Sequence, residues 1–327
     1  MITRRNFLSM SAGALTLFPF LTAARALAGS PPPLVLAGPP APLSIPLVHL
    51  AQQPPSAVLP AMEMKQWRNP DIMRAWMVSG EAQVSAAPAN AASILYNKGL
   101  PVRLLDINNG GSLSIVTRNP DIKEFADIKG KSVLLFFRGD TPDIIVRYLA
   151  SKNGIAPDAD LTMAYVDSPF EALQMLLSKR TDTALLSEPA ATAAILKGKG
   201  MGMDFRRIVI QDVWENVTGS TAMMPLGGTM CQASLAADHP ETVAALQTGI
   251  GEAVDWINTH PAEASRQCAD FFGLKPMVLQ KSLEVFPLRR NPAAKARKDL
   301  EFYYSALMEM SPKLVGGKLP DNGFYLG

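Results

Sequence analysis

The chain has 327 residues, 48 % hydrophobic and 18 % charged, which excludes a disordered polymer and favours two domains over one. Its net charge of +2 becomes −1, with 28 basic against 29 acidic residues, once the first 28 residues with Arg4, Arg5 and Arg25 are set aside. That balance excludes the concentrated basic face of a nucleic-acid binder; the pairs Arg206-Arg207 and Arg289-Arg290 read as solvated surface.

The N-terminus reads as an export signal. Thr3-Arg4-Arg5-Asn6-Phe7-Leu8 is similar to the twin-arginine motif of bacterial signal peptides. The apolar run 10–21 is short of the roughly twenty residues a spanning helix needs. Ala26-Leu27-Ala28 places small residues at both key positions of a cleavage site. The expectation is a signal over 1–28, cleaved near Ala28, and a periplasmic mature protein; retention of the segment as an anchor is the alternative. Cys231 and Cys268 are the only cysteines. They are either a disulfide formed in an oxidising compartment or two separate buried thiols.

Beyond a Pro-rich leader, 34–37 reads as a buried strand, followed by the rigid loop Gly38-Pro39-Pro40-Ala41-Pro42. A helix is expected over 45–52 and a loosely alternating strand over 58–66. Asn69 caps the next helix, with Pro70 at its first position and Gly80 closing it. A strand over 82–86 and a helix over 88–97 come next. Strands over 102–108 and 113–117 flank Asn109-Gly110-Gly111, read as a turn. The second half repeats the alternation: strand 133–137, helix 142–153, strand 161–166, then Ser168-Pro169-Phe170-Glu171 as a capping box opening a helix to 179. Strand 183–187, helix 189–197 and strands 207–213 and 229–235 follow. The tail reads as helices over 240–258, 261–272, 276–284 and 293–309. Strands alternating with helices imply mainly parallel sheets.

A unit recurs about one hundred residues apart. Pro88-Ala89-Asn90-Ala91-Ala92-Ser93-Ile94-Leu95-Tyr96-Asn97-Lys98-Gly99 and Pro189-Ala190-Ala191-Thr192-Ala193-Ala194-Ile195-Leu196-Lys197-Gly198-Lys199-Gly200 agree at seven of twelve positions. The period is too long for a solenoid and suits two homologous α/β lobes with a cleft between them. The expected arrangement is a first lobe from 29–115 and 222–327, carrying the helical tail, and a second lobe from 116–221.

Phe125-Ala126-Asp127-Ile128-Lys129-Gly130-Lys131-Ser132-Val133 leads into a strand, and Gly139-Asp140-Thr141-Pro142 precedes a helix. Ser187-Glu188-Pro189 forms a third motif, and 75–85 a helix-to-strand passage. In this order the set resembles the substrate-binding proteins of bacterial ABC transporters, in the nitrate/sulfonate/taurine branch that includes binders of thiamine-precursor pyrimidines. The likeness covers nearly all of 34–290. It implies a type II periplasmic-binding-protein fold: two three-layer α/β lobes joined by a two-segment hinge. It also implies a monomer that takes a small-molecule ligand and presents it to a membrane permease. Gln52-Gln53-Pro54-Pro55 departs from the family's Gly-Phe segment, and Asp140 stands where Ser is common.

In an open α/β sheet, ligands sit beyond the carboxyl ends of the strands. That nominates the loops at 38–44, 86–90, 139–141 and 187–189, and within or near them Pro39, Ser44, Asn90, Ser112, Asp140, Thr141 and Glu188. Thr141 is either a helix cap or a donor to ligand. Trp67 and Trp214 either stack on a flat ligand or pack. Glu188 and Asp140 disfavour a bare oxyanion and favour a ligand with an N–H or cationic group, because a carboxylate closed into a cleft needs a partner. A protein cation is the rival partner, with Arg138 and Lys65 as candidates.

The leading function is therefore extracytoplasmic capture of a small solute for an ABC-transporter permease. A sensor subunit or an enzyme on the same fold is the alternative. No His/Cys spacing suggests a metal, no cofactor motif is present, and no G-x-S-x-G, Walker or H-E-x-x-H motif marks a catalytic centre.

Overall fold

The computed structural model describes residues 33–54 and 59–327. The export signal expected over 1–28 lies outside them, as does residue 58, the expected start of the second strand.

The first half runs β1 (Leu34–Gly38), α1 (Ile45–Gln52), β2 (Met62–Gln66), α2 (Pro70–Ser79), β3 (Val84–Pro88), α3 (Ala89–Asn97) and β4 (Val102–Gly110). Asn69 caps α2 by accepting the Ile72 N–H at 3.1 Å, and Gly80 ends it at φ 80°. The second half runs β5 (Leu113–Thr117), β6 (Ser132–Phe136), α4 (Thr141–Lys152), the single turn α5 (Pro157–Asp160), β7 (Thr162–Val166), α6 (Pro169–Leu177), β8 (Thr183–Ser187), α7 (Ala190–Gly200), β9 (Arg206–Val209) and α8 (Ile210–Thr218). Ser168 caps α6 through the Glu171 N–H, but the Glu171 carboxylate takes the N–H of Asp167 rather than that of Ser168. The expected capping box is thus half formed. Then come β10 (Pro225–Gln232), α9 (Ala233–Asp238), α10 (Pro240–Thr259), α11 (Pro261–Phe272), α12 (Pro276–Val285) and α13 (Ala293–Met310).

The strands form two five-stranded sheets, ordered β2-β1-β3-β10-β4 and β7-β6-β8-β5-β9. In the first, β1 runs parallel to β2 and β3, and β10 is antiparallel to both neighbours. In the second, β6 runs parallel to β7 and β8, and β5 is antiparallel to both neighbours. Each sheet has the same order, with its one antiparallel strand supplied by chain that has just crossed from the other sheet. The twelve-residue echo lies on the β3–α3 and β8–α7 units, the third of each sheet. Central strands such as Thr183–Ser187 are buried along their whole length, as expected when helices cover both faces of a sheet.

Three sequence readings need correction. Asn109-Gly110-Gly111 is not a hairpin turn: β4 and β5 belong to different sheets, so the chain first crosses at Gly111-Ser112, a few residues before 116. The strand expected over 207–213 ends at Val209 and continues as α8, because Ile210, Val213, Trp214 and Val217 follow helical spacing. The strand expected over 229–235 begins earlier, at Pro225, and ends at Gln232. Gly228 is required within it: a β-carbon there would overlap the Asp106 carbonyl oxygen of β4.

The helical tail does not stay on one sheet. Leu246, Ile250, Val254 and Ile257 of α10 pack with α1 against the first sheet. Val278 of α12 joins the core of α6 and α7 beside the second. Tyr303 of α13 lies 5.8 Å from Trp214 of α8, ring centre to ring centre, and Lys152 of α4 pairs with Glu309 at 2.6 Å. Cys231 and Cys268 are both buried free thiols, and burial pushes each up to about 12. No helix among the described residues is long and apolar enough to cross a membrane.

Candidate functional site

Both sheets direct the carboxyl ends of their parallel strands toward one cavity of about 90 Å³. From the first sheet come Pro39 after β1, Trp67 and Arg68 after β2, Pro88 at the end of β3 and Asn109 near the end of β4. From the second come Phe136 ending β6, Phe137, Asp140 and Thr141 after it, Ser168 after β7 and Ser187 ending β8, with Ser112 on the crossing segment. The wall is mainly apolar, and prolines at 39, 40, 70, 88, 142 and 169 give it no backbone donors of their own. Phe137 adopts φ 55°, a left-handed conformation that costs a non-glycine residue about 1–2 kcal/mol. Such strain tends to collect at functional sites.

The eight residues nominated from sequence separate into three groups. Pro39, Ser112, Asp140 and Thr141 line the cavity. Ser44 and Asn90 are fully buried beside it and hold its wall. The Ser44 hydroxyl donates to the Pro39 carbonyl at 2.6 Å, bracing the Pro-rich loop. Asn90 of α3 accepts the Thr141 hydroxyl of α4, a bond that crosses from one sheet to the other. Thr141 is the first residue of α4, and Asp140 holds the capping position without a side-chain cap bond.

Glu188 and Trp214 lie outside the cavity wall. Trp214 packs among Tyr148, Phe302 and Tyr303 at ring-centre distances of 5.6, 6.1 and 5.8 Å. Glu188 is 0 % exposed. Its Oε1 meets Arg207 Nη1 at 2.7 Å, its Oε2 accepts the Thr192 N–H at 3.3 Å, and Arg207 Nη2 reaches the Thr192 hydroxyl at 3.1 Å. Arg207, read from sequence as solvated surface, is thus the counter-ion of a buried carboxylate.

Asp140 also has a protein partner, Arg74 of α2, in a second contact between the two sheets' elements. Burial raises the Asp140 carboxyl above the usual range, and Arg74 pulls it back. The two cations proposed from sequence are engaged elsewhere: Arg138 lies 5.1 Å from the Tyr165 ring centre, and Lys65 pairs with Glu81 at 3.4 Å. With both carboxylates paired within the protein, they give no reason to require an amine on the ligand.

Sequence reasoning passed over the loops after β2 and β7, and with them Arg68 and Ser168. Trp67 was seen only as a ring that stacks or packs. Its indole N–H is buried with no acceptor among the described residues. An unmet buried donor of this kind costs about 1–3 kcal/mol.

A larger polar cavity of about 670 Å³ lies on the other side of Asn109, between α8, α10 and the segment 288–291. Two pairs of its polar groups are bonded to each other: Arg290 to Asp255 at 2.6 Å, and Gln211 to Glu215 at 2.8 Å. The smaller cavity is the better candidate, because it alone collects the strand ends of both sheets. No group of three or more His, Cys, Asp or Glu side chains among the described residues is placed to hold a metal ion.

The model of the NMT1-like family matches residues 86–272, more than half the chain. Among solved structures, an ABC transporter protein from Parabacteroides distasonis aligns with a TM-score of 0.72 at 20 % identity, over 90 % of this chain and 99 % of that one. The periplasmic aliphatic sulphonate binding protein SsuA of Escherichia coli aligns at 0.67 and 16 % identity, over 91 % and 93 %. The periplasmic nitrate-binding protein NrtA of Synechocystis aligns at 0.61 and 16 % identity, over 78 % and 71 %. At these identities the likeness establishes the shared periplasmic-binding-protein fold. No curated protein matches the chain at a significant level.

Proposed function

Because the chain belongs to the NMT1-like family, we propose that it is an extracytoplasmic solute-binding protein that captures a small organic molecule and delivers it to an ABC-transporter permease. The observation that carries this reading is the cavity walled by the strand ends of both sheets, with the chain crossing between them twice. Two crossing segments allow the halves, 33–111 with 222–327 and 112–221, to move as bodies. At about 90 Å³ the cavity is well below the few hundred Å³ of ordinary small-molecule pockets, so a ligand requires the walls to part. Parting breaks the Arg74–Asp140 and Asn90–Thr141 contacts and loads those of the tail with the second half, Lys152–Glu309 and Trp214–Tyr303.

The structural neighbours named for sulphonate and nitrate binding in the periplasm support this reading, as does the export signal read over 1–28. The protein acts as a monomeric carrier rather than as an enzyme. A thermal-shift screen of the chain from Gly29 against sulfonates, oxyanions, pyrimidines, carboxylates and amines tests it. A true ligand at one hundred times its Kd stabilises the fold by about 2.7 kcal/mol. Stabilisation by none of these classes, or stabilisation indifferent to Asn90→Leu and Thr141→Val, refutes the proposal.

A further inference from the structure

Resting on the cleft-binding reading, we infer that Trp67 is a specificity-determining residue, whose indole N–H is held for a hydrogen-bond acceptor on the ligand. Trp67 follows β2 directly, is 1 % exposed and lines the cavity. Its own backbone N–H donates to the Gly38 carbonyl at 3.0 Å, tying this corner to the end of β1. The indole N–H has no acceptor among the described residues.

The rest of the wall sharpens the inference. The prolines bring no N–H, the Thr141 hydroxyl is engaged by Asn90, and Asp140 is engaged by Arg74. Arg68, also on the wall, has no carboxylate partner among the described residues. The Trp67 indole and the Arg68 guanidinium can therefore only donate, while Asn109, Ser112 and Ser187 on the same wall can donate or accept. The cavity's ligand carries an acceptor oxygen, anionic or carbonyl, on a compact apolar body that suits Phe136, Phe137, Leu226 and the prolines. This reverses the amine-bearing ligand expected from the carboxylates alone.

The test uses three ring probes that differ in one group: benzoate, acetophenone and benzylammonium, with 4-toluenesulfonate to separate carboxylate from sulfonate. Binding is measured by calorimetry, and the four tryptophan indole N–H signals are followed by ¹⁵N-labelled NMR, with Trp67→Phe identifying the one from Trp67. Benzoate or acetophenone is expected to shift the Trp67 signal downfield in the unmodified protein. Trp67→Phe is expected to weaken that probe roughly fivefold, the effect of one net hydrogen bond. Arg68→Gln is expected to weaken benzoate and 4-toluenesulfonate but not acetophenone. An unmoved Trp67 signal with an acceptor probe bound, or binding of benzylammonium alone, overturns the inference and leaves cleft binding intact. Binding by none of the probes also overturns it, and the broader thermal-shift screen then decides the proposed function separately.

Discussion

Asp106 makes the stability of the first sheet depend on pH. The residue lies on β4, 7 % exposed, and its carboxylate accepts the Thr229 N–H of β10 at 2.7 Å. Burial pushes its pKa from 3.8 to about 7, against smaller opposing contributions from bonds to Thr229 and Asn108. Arg290 and Lys295 line the cavity beside it, but neither forms an ion pair with it. A folded-state pKa above the unfolded value means that the folded protein holds the proton more tightly. The Asp106 contribution is therefore most favourable below about pH 4, declines as pH rises toward 7, and is constant above that. A shift of about 3 units at 1.36 kcal/mol each amounts to about 4 kcal/mol, a large share of the 5–15 kcal/mol of a typical domain. Asp106→Asn removes the titration. Its carbonyl oxygen still accepts from Thr229. In urea titrations from pH 4.5 to 8.5, which cross about 2.5 of those units, the difference in unfolding free energy between variant and parent is expected to widen in the variant's favour by about 3 kcal/mol. The slope is the test, since any fixed cost of the substitution is the same at every pH. A difference that stays level across that range refutes the assignment of a proton to Asp106.

Arg207→Met leaves the fully buried Glu188 carboxylate without its counter-ion, and is expected to cost about 3–5 kcal/mol in urea unfolding. Adding Glu188→Gln to that variant should recover most of the loss; equal stability of the single and double variants would mean that the pair carries no coupling. Asp140→Ala removes a partly exposed pair and is expected to change stability by less than about 1 kcal/mol. It should nevertheless raise the ligand-free radius of gyration in X-ray scattering by loosening a bond across the cleft, and an unchanged radius would show that the Asn90–Thr141 bond and the tail helices hold the halves without it.

The alternation of strands and helices, and the echo between 88–99 and 189–200, made the two-sheet architecture legible before any coordinates. Both signals depend on backbone patterns that a sheet must respect locally. Strand partnership is another matter. β4 and β5 lie next to each other in sequence around two glycines, as a hairpin would, yet they pair in different sheets. Only the positions of β10 and β8, both more than sixty residues further along the chain, decide that. The tail helices show the same limit. Their apolar faces were plain, but a helix such as α13, buried on several sides, does not state which sheet each side meets.

The two ways of choosing site residues fared differently, for a physical reason. The strand-end rule follows from topology, and it placed Pro39, Ser112, Asp140 and Thr141 on the cavity wall. It also nominated Ser44, Asn90 and Glu188, which lie behind or outside the wall, and it was not applied after the weakly alternating β2 or after β7, where Arg68 and Ser168 line the cavity. The argument from unpaired charge needed side-chain pairing at the scale of a single hydrogen bond. Arg207 stands nineteen residues from Glu188, and Arg74 sixty-six from Asp140, separations that carry no local signature. Once those cations are in place the acids no longer define the ligand, and the indole donor of Trp67 takes over that role. A buried charge is therefore a poor guide to a ligand until its protein partner is known. A buried donor that the fold leaves without an acceptor is a better one, because a ligand can supply the bond the protein does not.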